Sequence, residues 1–157
     1  MEKQTKDPAY ARPATRKLIQ DLLRERRQML SLLADLIKLN LHNVDERVRT
    51  TLDEFLSILV DYIAAGHFGL YQRLAEGTER RQPVVEAARE IYPRIADITD
   101  GAVVFSERYE SAPPQLLNDH LAQDLSRLAE NLSTRIDLED VLIIAMLGEV
   151  PVAVSPA

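Results

Sequence analysis

The stretch "ATRKLIQDLLRERRQMLSLLADLIKLN", which begins just after Pro13, constrains the fold more than any other part of the chain. Leu18, Leu22, Met29, Leu32, Leu33 and Leu36 fall on one stripe at helical spacing through about seven turns. Pro13 suits a first helical position, where its missing N–H would have had no partner. The other face carries Arg16, Lys17, Arg24, Arg26 and Arg27, with Asp21 and Glu25 spaced to pair with some of them. A helix of this length with one apolar stripe is held by burying that stripe against further helices.

The remaining sequence supplies those helices. After the turn "LNLHN", Asn43 reads as an N-cap, with Glu46 returning the bond in capping-box fashion. The second helix, "VDERVRTTLDEFLSILVDYIAAG", turns Val48, Leu52, Phe55, Leu56, Leu59 and Ile63 inward, with Gly66 as its stop or a kink. A short helix over His67 to Leu74 precedes the polar loop "EGTERRQ". Pro83 opens "PVVEAAREIYPRIADITDGAVVFSERYE", and Pro93 is expected to kink or divide it after Tyr92. Ser111 with Pro113 and Pro114 starts a helix through "QLLNDHLAQDLSRLAENLS", striped by Leu117, Leu121, Leu125, Leu128 and Leu132. A last helix, "DLEDVLIIAMLGEV", takes Asp137 as its N-cap and ends at Gly148 and Pro151. The expected organisation is a flexible arm over residues 1–12, one domain over 13–148 and a loose tail over 149–157. Four long amphipathic helices on short loops imply an all-α, antiparallel up-and-down bundle with additional short helices.

Composition excludes much chemistry. There are no cysteines, so disulfides, thiolate metal sites and thiol nucleophiles are out, as suits a reducing compartment. "MEKQTKDPAYARP" has no apolar core of a signal peptide, and no apolar run approaches the ~18 residues a membrane span needs. A soluble cytoplasmic protein is expected. The net charge of −6 is uneven: residues 1–50 carry +4 and residues 51–157 carry −10. An acidic body repels nucleic acid and steers toward basic partners, although acidity also serves solubility alone. The basic face of the first helix lacks interleaved aromatics, so direct nucleic-acid binding is not expected.

Catalytic and metal signals are missing from the sequence. His42, His67 and His120 are scattered, and none stands in an H-x-x-x-H or E-x-x-H pairing. Asp61 and His67 could approach across Gly66, but two ligands do not make a metal site. There is no nucleophile motif and no glycine-rich phosphate loop, so neither an enzyme nor a cofactor is expected. Interaction remains. In "LVDYIAAGHFGLYQRL", His67, Phe68 and Tyr71 crowd one side of a short helix. On one reading Phe68 and Tyr71 pin that helix to the bundle while His67 bonds locally. On the other, Asp61, Tyr62, His67 and Tyr71 rim a groove for a partner's side chains. "RIDLEDVLIIAML" is equally double: Glu139 and Asp140 suit a helix N-terminus and could also face a basic partner.

These same two stretches, with "LIQDLLRERRQML" and the "IYP" at 91–93, resemble the Rsd/AlgQ family of bacterial regulators that bind the housekeeping sigma factor of RNA polymerase. The D-Y-x-x-x-G-H-F-x-x-Y pattern from Asp61 to Tyr71 is the most specific part, with L-E-D at 138–140 in support. The resemblance implies an anti-sigma factor. It would bind the C-terminal promoter-recognition domain of the primary sigma factor one to one, occlude its contacts with the −35 element and with core polymerase, and so regulate transcription. It implies partner contacts at Asp61, His67, Phe68 and Tyr71, with Glu139 and Asp140 in support, to which the rim reading adds Tyr62. The free protein is expected to be a monomer or weak homodimer. An alternative is a nutrient or stress sensor that binds a phosphocarrier protein or a stringent-response enzyme.

Overall fold

A computed structural model describes residues 13–67, 71 and 81–148. The expected arm, the short helix after His67 apart from Tyr71, most of the polar loop and the tail lie outside the described residues. The helices are α1 (Pro13–Ile37), α2 (Glu46–Gly66), α3 (Gln82–Tyr109), the single turn α4 (Pro114–Leu116) and α5 (Ala122–Leu147). A π-helical turn, Leu117–Leu121, carries α4 into α5 without interruption. No strand occurs among the described residues.

Contacts at the two ends fix the helix directions. At one end the Arg49 guanidinium donates to the Ala112 carbonyl, and the Val44 N–H donates to Asn118 Oδ1 at 2.8 Å. The α1–α2 and α3–α4 connections therefore meet there. At the other end Tyr62, late in α2, bonds to Glu139, late in α5. So α2 and α5 run the same way. With α1 packed mainly on α2 and α3 mainly on α5, the order is up-down-up-down. The core between them takes Ile19, Leu22, Met29 and Leu36 of α1, Leu52, Phe55 and Leu59 of α2, Ile95 of α3 and Leu132 and Leu142 of α5. Each such side chain contributes about 1.5–3 kcal/mol of burial.

Local expectations fared unevenly. On α1 the inward residue is Ile19, while Leu18 and Leu32 are only half-buried at the edges of the stripe. The N-cap of α2 is Asp45 and not Asn43: its extended backbone lets Oδ1 accept from the Val48 N–H at 3.0 Å. Glu46 is then the first helical residue, so no capping box forms. Pro93 does not divide α3, which runs unbroken from Gln82 to Tyr109. Pro93 and Arg89 are both exposed, so the turn that loses its hydrogen bond lies on the outer face of α3, while Ile91 and Ile95 hold both halves on one core. Nor does a helix begin at Asp137, which is exposed in the middle of α5. The start of the α4–α5 rod lies at Pro113 and Pro114, and its end at Gly148, in the left-handed conformation with φ 73°. Replacing Asp45 with Ala is expected to lower stability by about 1 kcal/mol in urea unfolding, whereas Asn43→Ala leaves the midpoint unchanged.

Candidate functional site

Three of the buried stripes carry a polar residue where their spacing demands an apolar one. On α1, Arg26 stands between Leu22 and Met29; on α2, Tyr62 and Gly66 continue from Leu59; on α5, Arg135 and Glu139 continue from Leu128 and Leu132. These residues meet around the Glu139 carboxylate, which is wholly buried. The Tyr62 hydroxyl donates to Oε1 at 2.6 Å, and the Tyr71 hydroxyl donates to Oε2 at 2.8 Å. Arg26 Nη1 lies 3.3 Å from Oε1 and bonds more closely to Asp140 Oδ1, at 2.7 Å. Arg135 stacks its guanidinium over the Tyr62 ring at 4.9 Å and the Tyr71 ring at 5.8 Å. One carboxylate thus ties α1, α2 and Tyr71 to α5.

The electrostatics follow from burial. Burial raises the pKa of both Tyr62 and Tyr71 far above the ordinary phenol value; the Glu139 charge adds to this, and Arg135 only partly opposes it. Both phenols are therefore locked as neutral donors. Burial alone would lower the Arg26 pKa, but Asp140 and Glu139 more than offset it, so the net movement is upward. Arg135 Nε stands 3.9 Å from Glu139 Oε2, near enough for charge attraction but beyond hydrogen bonding.

Gly66 serves this cluster by having no side chain. It is neither a left-handed stop nor a break, since helical geometry continues into His67 at φ −60°. A Cβ at this position would lie 2.9 Å from Arg135 Nη2 and 3.0 Å from Tyr71 Cε2. Glycine lets α2 approach the guanidinium and the ring together. Beside it a recess of about 200 Å³ opens between α2, α3 and α5, with His67, Tyr71, Tyr92 and Arg135 among its walls. The Tyr71 and Tyr92 rings meet edge to face at 5.9 Å.

The residues singled out from sequence therefore divide into two layers. Tyr62, Tyr71 and Glu139 are interior and bonded to one another. Asp61 and His67 are exposed, and Asp140 is half-exposed with its carboxylate on Arg26. Phe68 lies outside the described residues. Two members of the cluster were not anticipated: Arg26, assigned to the outer face of α1, is only 14% exposed, and Arg135 is 1% exposed. The available signal was their spacing, four residues after Leu22 and four before Glu139. Among the described residues no group of three or more His, Asp or Glu could hold a metal, and no helix is long and apolar enough to cross a membrane.

The described residues form an all-helical bundle closed around a tyrosine-bound carboxylate, with acids at its rim. The chain belongs to the Rsd/AlgQ family, regulators of the RNA polymerase sigma(70) subunit, whose family model matches residues 1–147. It is 36% identical over 97 residues to the Regulator of sigma D of Salmonella arizonae, an alignment covering 59% of this chain and 57% of that protein. The protein of the same name from Enterobacter sp. (strain 638) is 37% identical over 93 residues, 59% of this chain and 56% of the relative. That from Shigella dysenteriae serotype 1 is 35% identical over 101 residues, 61% of each. The chain thus matches somewhat over half the length of these curated relatives. No solved structure matches it.

Removing the central carboxylate is expected to be severe. Glu139→Leu strands Arg135 in the core and should cost about 3–5 kcal/mol in urea unfolding. Asp140→Asn, at the half-exposed rim, should cost no more than about 1 kcal/mol. The phenols set an alkaline limit. Their folded pKa lies above the unfolded value of about 10, so their stabilisation is complete below that pH and is lost as pH rises beyond it. Ultraviolet titration of tyrosinate should show Tyr62 and Tyr71 ionising only as the helices melt.

Proposed function

We propose that this protein is an anti-sigma factor acting in the cytoplasm, which binds the C-terminal promoter-recognition domain of the primary sigma factor one to one. The family match over residues 1–147 carries this reading. The surface chemistry is compatible with it. A helix-turn-helix that reads promoter DNA is basic because it must meet phosphates. The chain from residue 51 onward carries −10. Asp61 precedes Tyr62 and Asp140 follows Glu139, so the Tyr62–Glu139 hydrogen bond joins the two helices where these acids emerge.

The mechanism is occlusion at stoichiometric ratio, without turnover. A bundle seated on that domain covers its promoter-reading helix and its polymerase-docking surface together, releasing core polymerase to other sigma factors. Acidic rim residues steer encounter and register, while aromatic and aliphatic contacts set residence time. Asp61 and His67 are the proposed direct contacts, together with Phe68, the next residue in the sequence after His67. Tyr62, Tyr71 and Glu139 act from behind by holding α2 against α5.

Calorimetric titration into the isolated sigma C-terminal domain at two salt concentrations tests this. One-to-one heat that weakens at higher salt is expected; no complex at either salt removes the anti-sigma reading. Asp61→Lys should slow association and weaken binding roughly tenfold, with the helical melt unchanged. A large fall in melting temperature would instead make Asp61 structural.

A further inference from the structure

We infer that the recess between α2, α3 and α5 binds a small amphipathic monocarboxylate, whose head group is held by Arg135. The first observation is an unmet demand. Arg135 is 1% exposed, and among the described residues its Nε and Nη1 have no hydrogen-bond partner. The obvious acceptor is already engaged: both oxygens of Glu139 take a tyrosine hydroxyl, and Arg26 also lies against Oε1. A buried guanidinium with idle donors on Nε and Nη1 is costly, and a carboxylate that accepts a charge-assisted bond from one of them relieves part of that cost.

The second observation is the space beside it. Arg135 lines a recess of about 200 Å³, whose walls include Ile63, Ile95, Ala96 and the ring of Tyr92. A void of about 150 Å³ already suffices for benzene. Apolar walls around one cation select a ligand with one charged end and a compact apolar body. The facing charges limit it to a single negative charge. Asp100 stands at the recess, exposed, and Glu139 lies behind Arg135, so a dianion such as phosphate meets two carboxylates. His67, also exposed, completes the mouth. This inference rests on the recess alone and is independent of sigma binding.

Benzoate is the probe, titrated into the full chain with the tyrosine ring resonances as readout. Saturable shifts at Tyr71 and Tyr92 are expected, with a higher melting temperature. Benzamide, of the same shape but uncharged, should bind about tenfold more weakly or worse. Ala96→Phe, which fills the recess and leaves Arg135 in place, should abolish the shifts while keeping the helical melt. Arg135→Lys should weaken benzoate by about tenfold through loss of the planar guanidinium donor that faces it. Equal binding of benzoate and benzamide, undiminished binding to Ala96→Phe, or shifts that never saturate would each overturn the inference. The benzoate–benzamide comparison needs no variant, so a substitution that fails to fold does not decide the outcome. No sigma domain is present, so failure here leaves the anti-sigma reading intact.

Discussion

Burying Glu139 is the constraint on which the arrangement of helices depends. An ionised carboxylate inside a helical bundle loses its water, and the loss is tolerable only where protein groups replace that water closely. Here the replacements come from separate parts of the chain: Tyr62 from α2, Tyr71 from beyond it, and Arg26 from α1, with Arg135 one helical turn away on α5 itself. Each must arrive in a narrow position. That requirement fixes the separation of α1, α2 and α5 near this end and demands glycine where α2 passes the guanidinium.

Such a cluster is an uneconomical way to stabilise a bundle. Well-packed apolar residues of similar volume commonly do as well or better. What a polar cluster adds is discrimination: apolar stripes can slide by a turn and still be buried, whereas two tyrosine hydroxyls and a carboxylate meet in one register only. The opposite end has a smaller, less buried counterpart, with the Tyr109 hydroxyl and Arg108 both on Asp124, beside the ties of Arg49 to the Ala112 carbonyl and Val44 to Asn118, the second presented by the π-helical turn. The acids nearest the cluster, Asp61 and Asp140, inherit its fixed geometry because each is one residue from a member of it.

Much of the architecture was legible because apolar periodicity dominates it. The stripes of α1 and α2 and the proline-opened start of the α4–α5 rod follow directly from spacing. The failures have a common cause. Asp137 has the chemistry of a cap, and reading it as one broke α5 between Leu132 and Leu142, hiding that Arg135 and Glu139 continue a buried stripe. Arg26 was assigned outward because it is charged, although four residues separate it from the buried Leu22. Pro93 was expected to divide α3 because local backbone cost was weighed without the core contacts on either side. Charged residues at core spacing are the sequence trace of the cluster. What they bond to depends on long-range contact that local pattern does not contain.

The connectivity of the cluster also bears on how the chain assembles. The α1–α2 and α3–α5 hairpins join helices across short connections, but the bonds to Glu139 from Arg26, Tyr62 and Tyr71 span 113, 77 and 68 residues. Contacts of such separation form only after the intervening loops have closed, so they follow the local hairpins. While the hairpins are still apart, the carboxylate remains in water. It becomes dry only as the two halves dock, the moment at which its hydroxyl and guanidinium partners arrive, so the group most costly to strand is covered last.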